Sequence, residues 1–305
     1  MIALFAAAAI ASTQPQAPST ADPIVVEGRT FKETATDYLD KLIPANIGLQ
    51  LGRFDQPICP KVMGLAEPYN TQVVDRVREV AKATSIGAAG PGCTPNLVII
   101  SAADKKAMIA ALQRTRPGYV ASVGNDELRR IANSHRPFAA WQVTDEVAAD
   151  GMPIGSSGNF AAPGNGASDK NDKNGNYVGG DYARLKTTVS PSRLRDTVKL
   201  RVLTSVVIVE TGALSSVTTR QLADFALVKA MTPTEERERE APASSILSLF
   251  DASVTPEGAP QSVTWWDFAF LKSLANTRSD SFADIQRSEI QSQMVKEVKK
   301  VPAGL

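Results

Sequence analysis

The sequence predicts an α/β fold: a mixed sheet with a βαβ unit, packed helices and a helical C-terminal part. Three observations carry this. First, two short apolar runs, 58–65 and 96–100, flank an amphipathic stretch in which Val73, Val74, Val77, Val80 and Ala81 recur at helical spacing. Second, residues 200–209 are rich in β-branched side chains from Val206 to Val209, the composition of a strand. Third, two hydroxyl-initiated helices follow that strand, beginning at Thr218 and Thr264.

In chain order, residues 1–11 are uniformly apolar and small, with Ala9, Ile10 and Ala11 as a small-x-small cleavage site. This is the pattern of a signal peptide, although no Lys or Arg precedes it. Residues 12–29 are rich in Pro, Gln, Ser and Thr and are expected to form a flexible leader, with Ile24, Val25 and Val26 as a candidate edge strand. An N-terminal α/β half spans 30–149. It opens with a helix carrying Phe31, Ala35, Tyr38, Leu39 and Leu42, stopped by Pro44.

Run 58–65 contains Pro60, which suits an edge or a strand end. The helix after it places Asp75, Arg76, Arg78, Glu79 and Lys82 on the wet side and is broken by Gly87, Gly90 and Gly92. A strand–helix–strand order makes its two strands parallel if they are neighbours. Asp104 starts a further helix through Met108, Ile109 and Leu112, and Asn125 or Asp126 caps a shorter one running to His135 and ended by Pro137. Residues 150–189 are a polar Gly/Asn/Ser/Asp/Lys insertion. Residues 190–305 return to strand and helix and complete the same domain. The final helix, from about 282 to 300, packs through Ile290, Met294 and Val298.

Thirty-three basic and 32 acidic side chains leave a net charge of +1, so nothing electrostatic points to nucleic acid or to an anionic membrane. No segment is long enough to span a bilayer as a helix. Two cysteines, Cys59 and Cys93, 34 residues apart (93 minus 59), form a disulfide most simply in an oxidising compartment. Together with the N-terminus, they predict a periplasmic or secreted protein.

Several chemistries are excluded. His135 is the single histidine, so it would have to serve any Ser-His-Asp enzyme. The sequence Gly155-Ser156-Ser157-Gly158 is one residue short of a nucleophile elbow. Placing Gly175 at the turn of a calcium loop puts Lys170 at the first ligand position, so the match fails. The glycines lack phosphate-loop spacing. No metal ligands and no cofactor site are expected.

Central to the chain is the stretch from Thr218 to Ala275. Thr218 and Gln221 make a capping box, Leu222, Ala223, Phe225, Ala226, Ala230 and Met231 supply a wide apolar face, and Pro233 ends the helix. Arg220 and Lys229 are expected in solvent. After the charged link 235–240 come an apolar turn, 245–250, and a second capping box, Thr264 with Asp267, leading into Phe268, Leu271, Leu274 and Ala275.

This order resembles the active-site half of the metzincin zinc peptidases, and the βαβ unit resembles the upper half of such a domain. In that family a helix bearing H-E-x-x-H-x-x-G-x-x-H precedes a methionine turn and an acid-containing helix. Here Ala223 and Leu227 stand at the first two histidines, Pro233 at the third, and the turn lacks its methionine. Asp224 occupies the place of the general base. The resemblance therefore implies a zincin-like fold with the zinc site lost.

Three functions follow as expectations. One is an exported, non-catalytic zincin-like protein that binds a small ligand or partner in the cell envelope. Another is a hydrolase using carboxylates, Asp224 with Asp267 or Glu210. The last is an interaction module presenting Trp265 or Trp266, which, as helical neighbours, point in different directions.

Overall fold

A computed structural model describes residues 30–43, 50–149, 151, 196–234, 239–251, 253–255 and 258–300. The signal peptide, the leader with Ile24 to Val26, all of the 150–189 insertion except Gly151, and positions 235–238 lie outside the described residues. Helix α1, Phe31–Leu42, carries a complete capping box from Thr30 and Glu33. Strands β1, Arg53–Phe54, and β2, Pro60–Met63, precede helix α2, Tyr69–Ala83. Then come β3, Leu97–Ala102, α3, Lys105–Thr115, and α4, Asn125–Ala132. Two long strands follow, β4, Phe138–Ala148, and β5, Val198–Glu210. The chain continues through α5, Thr219–Ala230, a 3-10 turn, Ile246–Phe250, α6, Trp265–Asn276, and α7, Ala283–Val298.

The sheet is mixed. Strand β5 is its spine, parallel to β3 and to β1 and antiparallel to β4, and β2 closes the other edge beside β3. The predicted βαβ unit is β2–α2–β3, paired in parallel from Pro60 against Leu97. Pro60 begins an edge strand, the position where its missing N–H costs least. Gly64, just after β2, has φ +87°, and a Cβ there would lie 2.0 Å from the Ser101 carbonyl oxygen, so the turn admits only glycine.

Period-two alternation along β3 and β5 sends Leu97, Ile99, Val207 and Val209 into a large core shared with α1, α2, α5, α6 and α7. Val98, Ile100, Val206 and Ile208 enter a smaller core under α3 and α4. Both faces of the sheet are therefore covered, as continuous apolar strands require.

Strand β4 was not expected from the sequence. Its polar residues, Gln142, Thr144, Asp145 and Glu146, mask an alternation in which Ala139, Trp141 and Val143 face the smaller core. Its length comes from pairing with β5, where Leu203 is an extra residue between Thr204, opposite Val143, and Val202, opposite Thr144. Helix α4 also departs from expectation: Gly124, without a side-chain bond, is its N-cap, and it ends at Ala132, so exposed His135 lies beyond its last turn.

Cys59 and Cys93 are joined, with Cα atoms 6.0 Å apart. The bond ties the entry of β2 to the loop before β3. Asn96 reinforces it, its Oδ1 accepting from the Cys59 N–H at 2.7 Å and its amide donating to the Pro57 carbonyl at 3.1 Å. No helix among the described residues is long and apolar enough to cross a membrane.

Candidate functional site

Helix α5 follows β5 through a 3-10 turn, Thr211–Leu214, and starts at a full capping box: the Thr218 Oγ1 accepts from the Gln221 N–H and the Gln221 side chain returns to the Thr218 N–H. From Gln221 to Ala230 every residue is buried. The helix is enclosed by α2, β5, β4 and the 3-10 turn Ile246–Phe250, not on one wide face as expected. Lys229, expected in solvent, is only 6 % exposed, whereas Arg220 is exposed.

Asp224 points from α5 toward α2 and is 0 % exposed. Arg76 grips it two-handed, Nε donating to Oδ1 at 2.8 Å and Nη2 to Oδ2 at 3.0 Å. The Val263 N–H donates to Oδ2 at 2.9 Å. Arg76 also pairs with Glu79 at 2.9 Å. These contacts, the bond to Asp224 first, hold the Arg76 guanidinium pKa above its ordinary range against the opposing effect of burial. Arg76 was expected on the wet side of its helix, yet its side chain is 16 % exposed. The sequence signal was its place between Val73 and Val77, at the border of the apolar face.

Asp267, the N3 residue of α6, is also 0 % exposed. Its carboxylate accepts four hydrogen bonds: from Tyr38 Oη at 2.7 Å, Ser245 Oγ at 2.5 Å, the Ile246 N–H at 2.8 Å and the Thr264 N–H at 2.9 Å, while the Thr264 hydroxyl donates to the Ser244 carbonyl at 2.6 Å. Burial raises its pKa, and the hydrogen bonds from Ser245, Tyr38 and the backbone counter only part of that rise. The Tyr38 hydroxyl is pushed well above its ordinary value, by burial first and then by the Asp267 charge.

The two carboxylates thus meet at adjacent peptide groups, Val263 and Thr264, and together fasten the link between the 3-10 turn and α6. Tyr38 and Ser245 carry no motif that would mark them in advance. Glu210 lies elsewhere, at the end of β5, accepting from the Lys105 N–H at 3.3 Å. Trp266 stacks on Tyr38 with centroids 6.3 Å apart, while Trp265 is 52 % exposed beside Phe268, so the neighbouring tryptophans do point apart.

A second cluster is basic. Phe138, at the start of β4, carries the Arg136 guanidinium 5.5 Å and the Lys229 ammonium 6.0 Å from its ring centroid. Two small pockets open against this trio, one beside α4 and one beside α1. Farther off, Lys199 and Arg201 of β5 are tied to Asp55 and Asp145, with Arg201 two-handed on Asp145 at 2.9 and 2.5 Å, so they form no open anion patch. Among the described residues no three His, Cys, Asp or Glu side chains converge as metal ligands. Compared with family models, with curated proteins and with solved structures, the chain has no match in any of the three.

Proposed function

We propose that this chain is an exported binding protein without hydrolytic activity, a zincin-like scaffold whose acidic residues have become structural. The observation that carries this reading is the state of Asp224. A general base must present a free oxygen to the proton it takes, within hydrogen-bond reach of a substrate or a water. Both Asp224 oxygens are committed to Arg76 and the Val263 N–H, in a fully buried position. Asp267, the acid that would complete a carboxylate pair, is spent in the same way on four donors.

Helix, turn and acid-capped helix supply the order that motivated the resemblance. The Cys59–Cys93 bond supports the exported address, because such bonds persist in oxidising compartments.

Two measurements test the reading. The full chain with its own N-terminus is expressed in a bacterial host and fractionated, and intact mass is taken without reductant after alkylation. A processed chain outside the cytoplasm with no alkylated cysteine is expected. A full-length cytoplasmic chain with two free thiols would overturn the exported part. Assays on peptide, ester and glycoside substrates are expected to show no turnover. Turnover abolished by Asp224→Asn in a folded variant would overturn the non-catalytic part.

A further inference from the structure

We propose that the basic pocket between α4 and the first residues of β4 binds a small tetrahedral oxyanion such as a phosphate or sulfate group. Its wall includes Arg130, Ser134, Arg136, Phe138 and Lys229, contributed by α4, the link to β4, β4 itself and the last turn of α5. The free volume is about 40 Å³. That is room for a few waters, or for the four oxygens of one oxyanion, and too little for a sugar or a base. Three basic side chains and a hydroxyl face this space, with no carboxylate among the described residues of the wall.

The cations are held in place rather than loosely arrayed. Arg136 and Lys229 lie against the Phe138 ring, which is itself buried between the sheet and α5. Lys229 lies in a position only 6 % exposed, and attraction between opposite charges is stronger in such a site than in open water. Behind the wall sits a fourth cation, Lys105, 4 % exposed. Its ammonium donates to the Ser134 carbonyl at 2.7 Å, to Ser134 Oγ at 2.9 Å and to the Arg136 carbonyl, which pins the segment carrying both wall residues. Because Ser134 Oγ accepts from Lys105, its own hydrogen remains to be donated.

Arg130 already pairs with Glu127 at 3.7 Å, so convergence of charge, and not a missing partner, is what a ligand would exploit. The adjoining pocket shares Arg136, Phe138 and Lys229 and adds Lys41 and Arg239, with Glu240 the one acid among the described residues of its wall. Since the chain as a whole carries only +1, this concentration of positive charge is local and not a property of overall composition. Arginine forks with a lysine point charge suit a multiply charged oxyanion better than a planar monoanion. Naming a ligand class deepens the reading of the chain as a binder and rests on it.

The test is calorimetric titration of the full chain with inorganic phosphate, sulfate and acetate at constant ionic strength, with thermal melting in parallel. Saturable one-site binding of phosphate and sulfate is expected, with a rising Tm. Acetate is expected to bind at least about tenfold more weakly. Lys229→Met and Arg130→Gln should each weaken phosphate by about tenfold or more, while Lys296→Gln, exposed on α7, should change it less than about twofold. If Lys229→Met fails to fold, Arg130→Gln at the partly exposed rim decides alone. A linear response that follows ionic strength, equal affinity in the variants, or acetate binding as tightly as phosphate would each overturn the proposal. Turnover of a substrate would sink the non-catalytic reading while leaving the phosphate affinity unchanged, so the two failures are distinguishable.

Discussion

Asp224 and Asp267 hold neighbouring peptide N–H groups, at Val263 and Thr264, and this shared task explains why two acids are buried so close to the centre of the molecule. Removing one charge of a buried pair leaves its partner uncompensated. Asp224→Asn keeps the shape and one acceptor but strands Arg76, so we expect it to lower unfolding free energy by about 2–3 kcal/mol, measured by urea denaturation. A change below about 0.5 kcal/mol, as at ordinary surface sites, would show that the Arg76 grip is not made in solution.

Asp267 sets a pH dependence of definite sign. Its folded pKa lies above the ordinary 3.8, because burial penalises the charged form, so between those two values the native state holds more protons than the unfolded chain. Stability contributed by this group is full below the unfolded value and is lost as pH rises through the folded one. Tyr38 acts in the same direction at the alkaline end: it resists ionisation in the fold, so stability falls as pH climbs past 10.0. Stability curves across the acid range should therefore differ between wild type and Asp267→Asn, with the variant lacking the fall toward neutral pH. Parallel curves would refute the assignment.

At the scale of elements, capping and cross-linking do most of the local work. Thr30, Thr218 and Thr264 each complete a reciprocal box at the start of α1, α5 and α6. Thr218→Ala should cost about 1 kcal/mol, since one helix-end N–H loses its acceptor. The Cys59–Cys93 bond closes a loop with a separation of 34 residues, and loop entropy gives it about 4 kcal/mol. Reduction, or Cys93→Ser, should lower the urea midpoint accordingly. An unchanged midpoint would mean that Asn96 and the β2–β3 pairing already restrain the unfolded loop.

For the molecule as a whole, α7 is the element that closes the larger core. Ile290 and Met294 are fully buried in it, Gln286 accepts from the Leu51 N–H at 2.7 Å, and Lys272 of α6 reaches Glu297 at 2.9 Å. Arg53 adds a second fastening, its guanidinium donating to the Leu274 carbonyl and, at 2.9 Å, to the Thr277 carbonyl at the end of α6. The Leu51 and Arg53 contacts join the chain around β1 to the C-terminal helices, and the Lys272–Glu297 pair ties those helices to each other. Ile290→Ala should therefore destabilise the whole domain by about 2–5 kcal/mol, visible as a single shifted thermal transition. A separate early transition confined to the C-terminal helices would show that they fold as an independent unit.

By itself the sequence determined what depends on near neighbours. A hydroxyl followed three residues later by an amide, Thr218 with Gln221, or by an acid, Thr264 with Asp267, specified the starts of α5 and α6. The apolar run 96–100 specified a strand buried on both faces, the run 200–209 specified a strand, and the paired cysteines specified their own bond. Tertiary structure decided what depends on partners distant in the chain. Strand β4 exists because β5 offers it a full-length edge, which outweighs the polar residues that hid it. Arg76 left the wet face of α2, and Lys229 left solvent, because each gained a partner more than 90 residues away, Asp224 for the first and the Phe138 ring for the second. Asp224 alternates with apolar neighbours on a helix buried all round, so helical periodicity could not say which way it faced. The direction was settled by α2 packing against α5, where one guanidinium and one peptide N–H make burial of a charge affordable.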